Sequence, residues 1–447
     1  MKKLIPVLSL AAAVAAGCSQ QPPAPAQNTA PASLVGQATP AEGLVLANAR
    51  LIDGKGNVIE NGSIVAKDGR IVSVSAEAAT VPGALVIDLK GKTVMPGLID
   101  AHRHLIQGNP DEWMASAAAT KMQEFLDAGF TTVLSAIDPT TQVVDLKKQI
   151  DAGTIKGPRL IVGCFVPLAA AEPPPPGPRV DPARTDVSRP PDRPTKAARG
   201  IPEAATRGMV QKCKESGTDA VKTVITTTPG GPEVATLKTI VDEAQKVGLK
   251  VIVHAVTVQD TMAAVTAKPT TLVHTPHIEQ ITEAQAKAIA AAGIPMTSTL
   301  GVFVPTFDED NAMVRARTGV DNLPRFRDLD PFPMNTLSSA GQGPVNARLI
   351  FDAGVVYGYG TDTQYVPHDA LRLELRPLRL VFSAKDIVKI MTENTAALIG
   401  RSSDLGTLEA GKIADFAVFN GNPLDDVENL LDVALVVKDG QVVVDKR

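Results

Sequence analysis

The sequence has 447 residues, of which 44% are hydrophobic and 21% are charged, a composition typical of globular rather than disordered proteins. Its formal net charge of −4 at pH 7 argues against a nucleic-acid partner, because the chain has no basic surplus to neutralise phosphates. The 35 glycines and 35 prolines favour many short elements and turns over a bundle of long helices.

Residues 1–18 have the pattern of a secretory signal peptide. Lys2 and Lys3 precede an apolar run, Leu4–Ala16, that is too short to remain as a membrane-spanning helix. The run leads into Gly17-Cys18, which resembles a bacterial lipoprotein processing site. We therefore expect Cys18 to carry a lipid that anchors the protein to a membrane of the cell envelope or periplasm. The alternative is an ordinary signal peptide cut nearby.

Residues 19–42 are rich in proline, alanine and glutamine and have no apolar periodicity, so we expect a tether. Short strand patterns separated by turn residues follow in 43–95 and return in 404–447. We predict that these two regions form one small β-sandwich domain. The predicted strands are Leu44–Ala47, Ser63–Ala66, Ile71–Val74, Leu85–Asp88, Ala414–Phe419, Ala434–Val437 and Val442–Val444.

Between the two regions, residues 96–403 alternate strand-like runs with helical stretches, several of which end in a glycine suited to a helix C-cap. This alternation predicts an α/β fold, a (β/α)8 TIM barrel with its active site at the carboxyl ends of the strands. The predicted barrel strands are Leu98–His102, Thr131–Ala136, Arg159–Phe165, Ala220–Ile225, Lys250–His254, Thr271–His274, Pro295–Thr299 and Val355–Gly360.

Two features interrupt or decorate the barrel. The segment Glu172–Ile201 is dense in proline and arginine, which favours a long irregular loop over the barrel mouth or a disordered insertion. Cys164 and Cys213 could pair in an oxidising compartment, but each lies in a predicted buried element, so we expect two free thiols.

Histidines are concentrated at the predicted strand ends. His102 and His104 are two residues apart, a spacing that directs both side chains to one face of a strand and Arg103 to the other. His254 and His274 end two consecutive strands. A lone histidine at such a place is commonly a hydrogen-bonded core residue, whereas four converging inside a barrel are better explained as metal ligands.

Two further polar residues follow the same pattern. Lys222 lies within an apolar run, where an unpaired ammonium group is costly to bury. It is either partly exposed at a strand edge or functional, and a carboxylated amine would present two oxygens to two metal ions. Asp362 ends the eighth strand in Gly360-Thr361-Asp362, where a carboxylate can bind a metal and accept a proton from water.

The run from Pro96 to His104, the Gly360-Thr361-Asp362 motif and the segment from Leu405 to Asp415 resemble the amidohydrolase superfamily. The resemblance is to its imidazolonepropionase-related, Xaa-Pro dipeptidase-like branch, which includes ochratoxin-hydrolysing amidohydrolases. It extends from about Gly43 to Arg447.

The resemblance implies a binuclear centre. His102, His104 and Asp362 would bind one ion, His254 and His274 the second, and a carboxylated Lys222 would bridge them, with Asp362 as the catalytic proton carrier. Zinc suits this donor set best, although manganese and cobalt remain open. His277 could replace His274, since it stands three residues later. Related enzymes have a histidine near the active site at a place similar to His368, which is either a substrate contact or a plain loop residue.

The implied function is hydrolysis of an amide bond in a small substrate, a dipeptide or an N-acyl or aryl-acyl amino acid, by attack of a metal-bound hydroxide. Two alternatives stay open: a cyclic-amide hydrolase or deaminase of the same superfamily, and a non-catalytic binding lipoprotein of the envelope. Deaminases of the superfamily commonly use one metal and lack the bridging lysine. We expect a homo-oligomer whose partner is a small-molecule amide and whose membrane attachment is only through Cys18.

Overall fold

The computed structural model of the protein describes residues 43–170, 196–303 and 335–447. The predicted signal peptide with Cys18, the tether and most of the proline-rich segment Glu172–Ile201 lie outside these ranges. Within the described ranges, no helix is both long and apolar enough to cross a membrane.

The described chain begins with five strands: β1 Leu44–Ile52, β2 Val58–Lys67, β3 Arg70–Ser75, β4 Leu85–Asp88 and β5 Thr93–Pro96. The central strand, β1, pairs antiparallel with β2, which in turn pairs with β3. Strands β4 and β5 both run parallel to β1. Leu44, Val45 and Leu46 of β1 are all buried, so both faces of this part of the strand are covered.

Eight parallel strands then form the barrel, in the sheet order β6 to β13. Backbone hydrogen bonds close the ring between its first and last strands, from Ala101 N–H to Tyr359 O (3.1 Å) and from Asp362 N–H to His102 O (2.8 Å). The strands are β6 Leu98–Arg103, β7 Phe130–Ser135, β8 Arg159–Phe165, β9 Ala220–Val224, β10 Lys250–His254, β11 Thr271–Val273, β12 Met296–Thr297 and β13 Tyr357–Gly358. The predicted (β/α)8 architecture is confirmed.

Three strands at the end of the chain, β14 Phe416–Phe419, β15 Val433–Lys438 and β16 Gln441–Asp445, return to the first sheet. Strand β14 pairs antiparallel with β5, with Phe416 opposite Pro96. The resulting eight-stranded sheet, ordered β16-β15-β14-β5-β1-β2-β3 with β4 beside β1, confirms that both chain ends build one small β-domain. The exact domain boundaries remain predictions.

Helices cover the outside of the barrel, and helix α5, Glu233–Val247, is followed by the C-cap residue Gly248, whose φ of 72° is the left-handed conformation expected of a glycine C-cap. Apolar side chains between helices and strands form the main core, which includes Leu237 and Ile240 of α5 packed near Val251 and Val253 of β10. The helices are α1 Pro110–Ser116, α2 Ala118–Asp127, α3 Thr140–Asp151, α4 Glu203–Glu215, α5 Glu233–Val247, α6 Val258–Val265, α7 Glu283–Ala291, α8 Asn335–Asp352, α9 Pro367–Val381, α10 Ala384–Lys389 and α11 Thr395–Leu398, with a π-helical turn Ile390–Asn394 and a 3-10 helix Val427–Leu431.

The expectation of two free thiols is wrong, because Cys164 and Cys213 form a disulfide with a Cα–Cα distance of 5.7 Å. Side chains on β8 alternate: Ile161 belongs to the apolar interior of the barrel, whereas Val162 packs in the layer beneath the helices. By the same alternation Cys164 faces outward, toward Cys213 on α4. Burial does not keep the two thiols apart, since they lie on facing surfaces of a strand and the next described helix.

Candidate metal centre

All six predicted ligand residues meet at the carboxyl ends of the barrel strands. The carboxylate of Asp362 lies at the centre of one group: its Oδ1 atom is 3.1 Å from His102 Nε2 and 3.0 Å from His104 Nε2. Its Oδ2 atom is 3.8 Å from His274 Nε2. One ligand atom each from His102, His274 and Asp362 lies within 4.8 Å of the others, which is close enough for a metal site.

The remaining residues adjoin this group. The Lys222 Nζ atom is 3.3 Å from His102 Nε2, and the ring of His254 is 4.3 Å from the ring of His274, measured between centroids. Lys222 is almost completely buried. The alternative of a partly exposed lysine at a strand edge is therefore wrong, whereas a functional role for Lys222 remains a prediction.

Burial determines the charge state of the cluster. Burial, and then the nearby Lys222, lower the pKa of His102 from 6.5 to about 4, and the same two causes lower the pKa of His254 to about 3. Burial lowers the pKa of His274 well below 6.5. Burial also lowers the pKa of Lys222 from 10.5 to about 7. At neutral pH these imidazoles are uncharged, which is the state that binds a metal.

The pKa values of Asp362 and His104 are shifted in the directions that favour their charged forms. Burial alone would raise the pKa of Asp362, but its charge interaction and hydrogen bond with His102, together with His104, hold it well below 3.8. For His104, the effect of burial is outweighed by Asp362, so that the pKa is raised above 6.5. The centre therefore presents an ionised carboxylate surrounded by imidazoles.

The donor set fits a divalent metal. Among the described residues, the buried nitrogen His274 Nε2, which faces the Asp362 carboxylate, has no hydrogen-bond partner, although unpartnered buried polar atoms are rare and costly in proteins. Neutral imidazoles and a carboxylate are the donors that zinc and similar ions prefer. Sequence comparison agrees with this chemistry, since a sequence model of the amidohydrolase family matches residues 93–443.

The chain belongs to the amidohydrolase family. It is 24% identical over 402 residues to an imidazolonepropionase of Thermoanaerobacter pseudethanolicus, covering 83% of this chain and 86% of the relative. A solved structure from Bifidobacterium longum, provisionally assigned as a prolidase, is 27% identical with a TM-score of 0.69 over 90% of this chain and 95% of that one. A Xaa-Pro dipeptidase solved with methionine in its active site gives a TM-score of 0.68 at 22% identity, over 89% and 99% of the two chains. At 22% identity, the likeness to this dipeptidase supports the fold alone.

The candidate metal centre of this amidohydrolase combines residues in a strained backbone conformation with hydrogen bonds from outside the cluster that orient its histidines. His274, Thr299 and Asp362 have positive φ angles of 76°, 47° and 52°, which is unfavourable for residues with a side chain and most of all for a β-branched one. Thr299 Oγ1 lies 2.7 Å from His274 Nδ1, and His104 Nδ1 lies 3.1 Å from the Ile137 carbonyl oxygen. These contacts orient both imidazoles so that Nε2 faces the cluster.

Two buried charged residues on β6, Asp100 and Arg103, connect this strand to the loop after β13. Neither was named as a site residue from the sequence. Asp100 accepts hydrogen bonds from the His102 N–H (3.1 Å) and the Thr361 hydroxyl (2.8 Å). Arg103 points away from the histidines, as predicted, and donates to Thr361 Oγ1 (2.8 Å) and Thr363 Oγ1 (2.7 Å). Both residues therefore connect the strand that carries His102 to the loop that carries Asp362. The polar sequence Asp100–His104 inside a buried strand was the available signal.

A third buried charge, Glu374 on α9, organises the loop after β12. Its carboxylate accepts hydrogen bonds from the Leu300 N–H (2.8 Å) and the Gly301 N–H (2.5 Å). Burial raises the pKa of Glu374 from 4.5 to about 7. The loop that it holds begins next to Thr299, the partner of His274.

The two other histidines lie apart from the ligand group. His277 is buried with its ring stacked on Phe303 at a centroid distance of 3.9 Å, so the geometry favours His274 over His277 beside Asp362. His368 is part-exposed at the start of α9, where its Nδ1 atom lies 3.4 Å from the neighbouring Asp369 carboxylate. A substrate contact by His368 remains a prediction.

Proposed function

We propose that this amidohydrolase cleaves the amide bond of a small substrate, a dipeptide or an N-acyl or aryl-acyl amino acid, with two divalent ions, most suitably zinc. The observation that carries the proposal is the ionised carboxylate of Asp362 within 4 Å of three histidines, beside the buried Lys222. The family match and the 27% identity to a solved structure provisionally assigned as a prolidase support hydrolysis of a peptide-like bond.

We assign His102, His104 and Asp362 to one ion and His254 and His274 to the other, with Lys222 between them. Bound divalent ions lower the pKa of water and polarise a carbonyl group. The Oδ1 atom of Asp362 is within 3.1 Å of His102 and His104, whereas Oδ2 is 3.8 Å from His274 Nε2. The Oδ2 atom is therefore suited to take a proton from the attacking water. It can then deliver that proton to the leaving nitrogen, so that the amine departs uncharged.

Lys222 supports a binuclear rather than a mononuclear centre. Its pKa of about 7 leaves a large fraction of free amine at neutral pH, and the free amine is the form that adds carbon dioxide to give a carbamate and a released proton. A carbamate would replace a buried cation by an anion beside His102, His254 and His274. This favours the amide hydrolase over a deaminase with one metal, and a non-catalytic binding module would need neither Lys222 nor Asp362.

The test is a panel of dipeptides and N-acyl amino acids, assayed with the purified protein before and after removal of metal by a chelator. We expect hydrolysis of at least one amide, loss of activity on chelation and recovery on addition of Zn2+. Asp362→Asn should lower kcat by about 100-fold or more, whereas Asp151→Asn, which changes an exposed carboxylate on α3, should not. Full activity of Asp362→Asn, or of metal-free protein, would contradict the mechanism.

We also propose that the protein is attached to a membrane of the cell envelope through lipidated Cys18. The support is the sequence alone, an apolar run that leads into Gly17-Cys18. In a bacterial host, Cys18→Ser should move the protein from the membrane fraction to the soluble fraction. Unchanged fractionation of this variant would argue against the anchor.

A further inference from the structure

An aromatic side chain is exposed on the inner rim of the barrel. Phe165 is the last residue of β8, and 45% of its surface is accessible. Its neighbour Cys164 is bonded to α4 outside the barrel, and side chains alternate along a strand. Phe165 therefore lies on the inner face, above Ile161 of the barrel interior.

Phe165 stands beside the metal-binding cluster. In the register of β8 and β9 it is the partner of Lys222, and the backbone N–H of Val166 donates to the Lys222 carbonyl oxygen at 2.9 Å. Lys222 is only 1% exposed. The chain thus places a large apolar surface, open to solvent, one strand away from a polar centre that is itself buried.

Phe165 is an exposed apolar residue that lies at the rim of the candidate metal centre. Apolar surface left open to water contributes no burial free energy, and sites for small ligands are lined mainly by apolar and aromatic side chains. Ile137, whose carbonyl oxygen accepts from His104, is also exposed at this rim. The other large apolar residues that are exposed in the described ranges lie away from this rim: Val58, Val72 and Val86 on the β-domain, Val345 on α8, Leu380 on α9, and Val356 at the amino end of β13.

The order of the strands in the barrel indicates which part of the substrate Phe165 would contact. In the ring of eight strands, β8 and β9 lie across from β12 and β13. Asp362 follows β13, and the leaving nitrogen must lie next to Asp362 to receive its proton. The acyl part of the substrate therefore extends away from β13, toward Phe165.

We infer that Phe165, with Ile137, forms the subsite for an apolar or aromatic side chain on the acyl side of the scissile amide. This inference rests on the proposed function and narrows its substrate class. It makes N-terminal Phe or Leu dipeptides, and aryl-acyl amino acids, better substrates than their glycyl or acetyl counterparts with the same amine component.

The test compares Phe-X with Gly-X dipeptides that share the residue X. We expect wild-type kcat/KM to favour Phe-X by about 10-fold or more, the discrimination available to an apolar pocket. Phe165→Ala should remove most of that ratio, and Phe165→Leu should keep an intermediate ratio. Leu380→Ala, which truncates a side chain that is 72% exposed on α9, is the matched control and should leave the ratio unchanged.

Binding of phenylacetate and acetate, measured by isothermal titration, tests the subsite without hydrolysis, because these acids mimic the acyl product. Tighter binding of phenylacetate that disappears in Phe165→Ala would support the inference even if no amide of the panel were cleaved, an outcome that would count against the proposed function alone. The inference is overturned if Phe165→Ala leaves unchanged both the Phe-X to Gly-X ratio of kcat/KM and the preference for phenylacetate over acetate, whatever its effect on thermal stability. It is also overturned if the ratio that changes is that of Gly-Phe to Gly-Gly, on the amine side.

Discussion

Loss of the Cys164–Cys213 disulfide is expected to destabilise the protein strongly without changing its active-site residues. The two cysteines are 49 residues apart, and the loop that they close contains the whole proline-rich segment Glu172–Ile201. In the chain-entropy treatment, closing a loop of that length removes about 14 cal/mol/K of entropy from the unfolded chain, which is about 4 kcal/mol at 25 °C. The bond fixes the end of β8, where Phe165 lies.

Equilibrium unfolding in urea, with and without a reductant, measures this contribution. Wild-type protein should lose about 4 kcal/mol of unfolding free energy on reduction. The Cys164→Ala/Cys213→Ala double variant should match reduced wild type and should not respond to the reductant. The same urea midpoint for oxidised and reduced wild type would refute the reasoning, as would two reactive thiols from this pair in unreduced, denatured protein.

Three further predictions concern the residues around the centre. Because the folded-state pKa of Glu374 is raised from 4.5 to about 7, its contribution to stability is complete below pH 4.5 and is lost as the pH rises through 7. Unfolding free energy should thus fall by on the order of 3 kcal/mol across this window, and Glu374→Gln should flatten the fall; an unchanged slope in denaturation curves would count against it. A methyl group at Gly360 would lie 2.5 Å from the Thr297 side chain, so Gly360→Ala should lower the unfolding free energy by about 1–3 kcal/mol. A Tm equal to that of wild type would show that the space between the two residues accommodates the methyl group. Thr299→Val removes the hydroxyl partner of His274 and should weaken zinc retention about 10-fold in chelator competition, whereas Thr299→Ser should retain it; equal losses in both variants would exclude the hydroxyl as the cause.

Much of the barrel could be predicted because its signals are local. Strand runs such as Lys250–His254 carry their own apolar pattern, and helix ends such as Gly248 carry a glycine that adopts the left-handed conformation. The clustering of the candidate ligands could be predicted for the same reason: parallel strands bring their carboxyl ends to one edge, so that His254 at a strand end and Asp362 near another must lie close together.

Features that depend on which surfaces face one another could not be predicted. Cys164 and Cys213 looked like separate buried thiols, and only the packing of α4 on β8 pairs them. Asp100 bonds Thr361, which is 261 residues away. Glu374 likewise finds its partners, the amides of Leu300 and Gly301, only in the folded chain. No neighbour in sequence identifies the hydrogen-bond partners of either carboxylate.

The most direct measurement is the metal content of the purified protein, determined by mass spectrometry together with the rate of amide hydrolysis. We expect close to two equivalents of divalent metal per chain, activity that rises in proportion to metal content, and a lower content in Lys222→Ala. Full hydrolytic activity in protein that holds almost no metal, or two tightly bound ions in Lys222→Ala, would contradict the proposed centre.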